Sequence, residues 1–199
     1  MGIRTIMAAI ALAGALAPAA AAQVEDTTVR SRTRGVAAGV FVDGSAVRAE
    51  GSALEAGPGV GVHLGFGLGK HVSLFARGSV AAVRYAAIRD ESYSLRHLDV
   101  GVRYSFGGTE DVLRPFAQAG GTLRDVHFDE AEIRMRGAGL TVGGGAEYFV
   151  SRTVAIDAGL SITTGRFGEM RTADGEWEEV EDGVSATSAR LDLGITWHP

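Results

Sequence analysis

Apolar and polar residues alternate with a period of two along most of this chain. Toward the C-terminus Leu191, Leu193, Ile195 and Trp197 are apolar, with Arg190, Asp192, Gly194 and Thr196 between them. Val154, Ile156, Ala158, Leu160 and Ile162 alternate in the same way with Ala155, Asp157, Gly159, Ser161 and Thr163. So do Leu98, Val100, Val102, Tyr104 and Phe106 with Asp99, Gly101, Arg103 and Ser105. Such alternation marks strands with two unlike faces. It predicts eight of them, over residues 35–47, 57–67, 72–84, 96–106, 115–125, 137–149, 153–166 and 188–197. Each is at least as long as a tilted strand that crosses a bilayer in roughly 9–11 residues.

The connections alternate in length. Those at 68–71, 107–114 and 150–152 are short, whereas 48–56, 86–95, 126–136 and 167–187 are longer and carry most of the free charge. Short turns at one end and long loops at the other are the pattern of a barrel in an outer membrane. The first strand then starts in the periplasm, both termini lie there, and the long loops are extracellular. In the last loop Asp174-Gly175 is a strong turn signal. It predicts that strands seven and eight continue as an acidic hairpin, with Trp177 packed on it.

One parity of the strands is expected to be free of charge. It carries Val36, Val40, Val60, Leu64, Leu74, Val80, Val100, Val102, Leu123, Leu140, Val142, Ile156, Leu160, Leu193 and Ile195. The other parity carries Arg77, Arg103, Arg124 and Arg190 together with Asp99, Glu147, Asp157 and Asp192. Four cations match four anions, which suits an ionic network in a narrow lumen. Small residues such as Gly61, Gly101, Gly120, Gly145 and Gly159 share that parity and leave room for it. Strands expected to descend end in Phe66, Tyr104 with Phe106, Tyr148 and Trp197, as an interfacial aromatic girdle would. A soluble lipocalin-like barrel is the rival fold, with its apolar face inside. Alternation alone does not separate the two.

Residues 1–22 are a different kind of segment. Arg4 precedes an apolar run from Ile6 to Leu16, and Ala20-Ala21-Ala22 supplies the small residues of a cleavage site. This is a signal peptide, too short to anchor as a spanning helix. A short periplasmic segment at 23–34 and the barrel domain at 35–199 follow. The chain has no cysteine, so neither disulfides nor a lipid-modified cysteine enter the account. A formal charge of −5 gives no electrostatic reason to bind nucleic acid.

Candidate chemistry is sparse. Gly57-Pro58-Gly59 and Gly143-Gly144-Gly145 lack the spacing of a dinucleotide loop, and no helix follows them. His63, His71, His97, His127 and His198 are dispersed, without the spacing of metal ligands. No cofactor or metal is expected. Ser94, His97 and Asp99 are the only local candidates for catalysis, and one strand cannot converge them as a triad.

The chain resembles the small OmpA-type outer-membrane barrels, the outer membrane protein β-barrel domain group. Arg114-Pro115-Phe116-Ala117-Gln118-Ala119-Gly120-Gly121 is similar to the fifth-strand opening of such proteins. The ending Leu191-x-Leu193-x-Ile195-x-Trp197 is similar to the signal read by the barrel assembly machinery, although His198-Pro199 follow the aromatic residue here. The resemblance implies an all-β fold, an eight-stranded antiparallel up-and-down transmembrane β-barrel after a cleaved signal peptide. Outer-membrane lipid and, during insertion, the assembly machinery would be its partners. The expected role is a non-catalytic structural or surface-interaction one. The alternatives are a narrow porin-like channel and an outer-leaflet lipid-modifying enzyme.

Overall fold

A computed structural model describes residues 34–84, 92–128, 131–172 and 175–199. The signal peptide and nearly all of the 23–34 segment lie outside the described residues, as does Asp174 of the turn. The described chain forms eight strands: β1 (Gly35–Ala49), β2 (Glu55–Gly67), β3 (Val72–Arg84), β4 (Ser92–Ser105), β5 (Leu113–Phe128), β6 (Ile133–Phe149), β7 (Val154–Arg171) and β8 (Glu178–Trp197). Each pairs antiparallel with the next, and β1 pairs with β8 from Ala38↔Trp197 to Ala49↔Ala186, so the sheet closes on itself. Closure removes the edge strands that an open sheet would leave unpaired. With an even number of strands, β1 begins and β8 ends at the same end of the barrel, here called the near end.

The strands at the far end run longer than the alternation predicts. Residues 126–136, expected as a long loop, are mostly strand, and the 167–187 link is largely the hairpin expected of it: β7 continues to Arg171 and β8 starts at Glu178. At about 3.3 Å per residue and a tilt near 40°, the 20 residues of β8 reach roughly 50 Å along the barrel axis. The hydrocarbon of a bilayer is about 30 Å thick. Beyond that band a strand needs no apolar outer face, so the alternation fades while the backbone ladder continues. The ladder there is irregular. Its register shifts between Phe167 and Glu169, opposite a stretch of β8 in which Asp182 (φ 63°) and Gly183 (φ 57°) adopt left-handed backbone.

The apolar parity faces outward. Val40 is 60% exposed, Leu123 59% and Leu140 69%, whereas Arg77 is 4%, Asp99 1% and Arg190 2%. A water-soluble barrel would reverse these figures, because apolar area is stabilised by removal from water. One expectation fails. The outward parity is not free of charge: Arg84, Arg96, Asp125 and Arg166 share it, all toward the far end. The same overlength of the strands accounts for them.

The barrel interior as candidate functional site

The inward side chains form two layers. Nearer the middle lie the charged residues. Arg77 and Asp99 are cross-strand neighbours on β3 and β4, and Arg190 and Asp192 sit two apart on β8. These strands are on opposite sides of the barrel. Arg77 Nη2 reaches Asp192 Oδ1 at 3.0 Å, and Arg190 Nη2 donates to Asp99 Oδ2. The two pairs therefore tie facing walls together across the lumen. Arg190 also donates to Ser79 Oγ at 3.4 Å. Arg103 on β4 pairs with Glu147 Oε1 on β6 at 2.9 Å and donates to Gln118 Oε1 from both Nε and Nη2, at 3.3 and 3.1 Å.

The other two predicted network members take different partners. Arg124 donates to the Ala186 carbonyl at 3.2 Å, and no carboxylate pairs with it among the described residues. Asp157 accepts from Thr196 Oγ1, which also lies 2.9 Å from His63 Nε2. Alternation predicts which face a charge takes; it does not predict which charge it will meet.

Aromatic rings complete this layer. Arg77 lies 4.3 Å from the centroid of Phe41, Arg103 3.9 Å from Phe116, and Arg124 4.8 Å from Phe167. A desolvated cation over a ring gains about 2 kcal/mol. Two of the rings lie on bare backbone. A Cβ added to Gly61 would meet Phe41 Cε2 at 2.6 Å, and one added to Gly145 would meet Phe116 Cζ at 2.8 Å. These glycines give the ring its place on the wall and leave its other face to the guanidinium.

Toward the far end the interior becomes apolar. Val47, Val83, Tyr93, Leu95, Val126 and Phe167 are all 6% exposed or less and pack as one cluster. Tyr93 donates across to Glu55 at 2.7 Å. The ionic network expected of the lumen therefore does not extend into this part of the barrel. Above the hydrocarbon the outer wall meets water, and inward burial of apolar side chains is again favourable.

Among the described residues the buried charges are Asp43, Asp99, Glu147, Asp157 and Asp192 against Arg77, Arg103, Arg114, Arg124 and Arg190. The sequence reading missed Asp43 and Arg114. Asp43 has the inward parity of β1, between Phe41 and Ser45, and could have been found from it. Arg114 precedes Pro115, the start of the fifth predicted segment, whereas β5 begins two residues earlier at Leu113. The two additions carry opposite signs, so the interior remains balanced at five against five.

The remaining candidates are placed as follows. Ser94 has the outward parity of β4 whereas His97 and Asp99 are inside, so the three do not converge. His97 Nε2 lies 3.3 Å from Ser188 Oγ, and both residues are 3% exposed or less. No group of three or more His, Cys, Asp or Glu able to hold a metal occurs among the described residues. Phe66, Tyr104, Phe106, Tyr148 and Trp197 are 40–54% exposed on the outer surface, all at the near end. A cavity of about 40 Å³ opens there beside His63, Arg103, Glu147, Thr196 and His198.

A closed barrel with an apolar outer wall and a charged interior is a membrane architecture. The sequence profile described as outer membrane protein beta-barrel domain matches residues 7–194. The chain belongs to this family. Membership of the outer membrane protein β-barrel domain family indicates an outer-membrane location. Among solved structures the chain is similar to Neisserial surface protein A, with 14% identity, a TM-score of 0.63, and coverage of 83% of this chain and 97% of that one. It is also similar to the outer membrane protein OprG from Pseudomonas aeruginosa, with 9% identity, a TM-score of 0.54, and coverage of 86% and 100%. At such identities the likeness is one of fold. No curated protein matches the chain.

Proposed function

We propose that this protein is a closed, non-catalytic barrel of the outer membrane, with a structural or surface-interaction role carried by its far-end hairpins. The observation that carries this reading is the two-layer filling of the interior. Crossed ion pairs occupy the middle, and an apolar cluster lies beyond them. An ion entering the first layer would have to displace a paired charge, and one entering the second would lose its hydration. Ser94 faces outward while His97 and Asp99 are buried inside, and that division favours a non-catalytic role. In the orientation we propose, the near end with its aromatic residues faces the periplasm and the acidic β7–β8 hairpin faces outward.

The purified barrel reconstituted in a planar bilayer tests this reading. It should give no conductance steps across neutral salt. Steady unitary conductance would overturn closure and favour the narrow channel.

A further inference from the structure

The outward arginines that break the apolar wall are grouped. Arg96 on β4 stands opposite Asp125 on β5, which stands opposite Arg136 on β6. Arg136 pairs across to Glu169 on β7, and Arg166 on β7 stands opposite Ala138. Cross-strand neighbours on one face lie about 5 Å apart, so these side chains form a continuous row. The row holds three cations and two anions. Arg136 engages Asp125 at 3.4 Å and lies over Trp177 at 4.0 Å. Among the described residues no ion pair joins Arg96 or Arg166.

Directly toward the near end, the same parity turns apolar. Leu98 follows Arg96 by two positions, and Leu123 precedes Asp125 by two. Together these residues line an open groove of about 720 Å³, floored by Gly137, Ala138 and Gly168. A second groove of about 720 Å³ shares Arg166 and Ala138 and adds Arg48 and Leu140. The chain has a single lysine, Lys70, and it lies in a near-end turn, so every cation on this belt is a guanidinium. A guanidinium offers a planar fork that fits phosphate oxygens in a bidentate manner. At the near end the same outward parity carries aromatic and aliphatic side chains instead, such as Phe66, Tyr104 and Trp197. The belt is thus specific to one interface of the membrane.

We propose that Arg96, Arg136 and Arg166 bind the phosphate groups of a phosphorylated lipid in the outer leaflet, with an acyl chain lying along Leu98 and Leu123. Charge complementarity names the occupant: cations in a row at the upper limit of an apolar wall meet a ligand that is anionic above and apolar below. The inference rests on the outward orientation of the far end proposed above.

The test uses the full mature barrel in zwitterionic detergent, titrated with bis-phosphorylated lipid A, with the same lipid stripped of its phosphates, and with inorganic phosphate. Trp177, beside Arg136, reports by fluorescence in a Trp197→Phe background. The phosphorylated lipid should bind saturably, inorganic phosphate should not compete, and the stripped lipid should bind far more weakly. Arg96→Gln/Arg136→Gln/Arg166→Gln should weaken binding about 100-fold. Arg152→Gln, in a near-end turn, should leave it unchanged. A lipid-extraction assay with mass detection repeats the comparison without relying on the stacked tryptophan. Equal binding by the triple variant, or by the stripped lipid, overturns the proposal. Binding in detergent does not depend on orientation, whereas surface labelling of the hairpin in cells does, so the two readings fail separately.

Discussion

Removing Arg103 probes the ionic layer at its most connected point. Its guanidinium pairs with Glu147 at 2.9 Å, binds Gln118 through two nitrogens, and covers Phe116 at 3.9 Å. Arg103→Ala takes from Glu147, only 5% exposed, its ion-pair partner and leaves Arg114, opposite it on β5, as the nearby cation. Loss of one partner of a buried pair costs about 3–5 kcal/mol. The adjoining cavity of about 40 Å³ can admit a water to the carboxylate, which places the expected loss near the lower end, about 3 kcal/mol. With a urea dependence of about 2 kcal/mol per molar, the unfolding midpoint in lipid vesicles should fall by roughly 1.5 M. Arg152→Ala, in an exposed turn, should shift stability by less than about 0.5 kcal/mol. Arg103→Met with Glu147→Leu should recover most of the loss, because it removes the pair together. Equal midpoints for Arg103→Ala and Arg152→Ala would refute the network, and a double variant no better than Arg103→Ala would refute its pairing.

The outer wall should reject charge near its middle: Val102→Arg or Leu160→Arg should cost about 2–4 kcal/mol in a bilayer. Undiminished folding of both into vesicles would contradict the lipid-facing assignment. His198 follows the last strand, packs on Phe149 and is 8% exposed. Burial above all holds its imidazole below the usual histidine range, with Arg103 and Arg114 adding to the effect against Glu147 and Asp157. The fold therefore prefers it neutral, and its contribution is present above the unfolded value near 6.5 and is lost as pH falls below it. Unfolding measured at pH 7 and pH 5 should show a smaller loss for His198→Gln than for the parent; identical losses would remove His198 from the pH response. An epitope inserted after Gly175 should be labelled on intact cells. Labelling only after the outer membrane is opened would reverse the proposed orientation.

Period-two alternation carried the strand count, the closure and the inside of most residues, because a pleated strand in lipid has one solvent per face. Arg77, Asp99 and Arg190 were legible for that reason. Where the strands leave the hydrocarbon, the rule that places residues changes. Arg96, Arg136 and Arg166 face out with the lipid parity, and Val47, Leu95 and Val126 face in with the lumen parity. A single alternation rule applied along whole strands misreads both groups. The ion-pair partners were illegible for a different reason. Arg190 and Asp99 are 91 residues apart, and their meeting depends on barrel register that no local pattern encodes.

The central claim is that lipid bathes one parity of each strand while the other fills a closed interior. The chain has no cysteine, so single cysteines can be placed from His97 to Tyr104 on β4 without a background, Gly101 excepted because a Cβ there would meet the backbone of Gly120 at 2.7 Å. Each variant, labelled with a fluorophore before folding into vesicles, is exposed to quenchers carried on acyl chains. Strong quenching should appear at Leu98, Val100 and Val102 and vanish at His97, Asp99 and Arg103. Uniform quenching along β4, or strong quenching at the odd-numbered positions, would contradict the account.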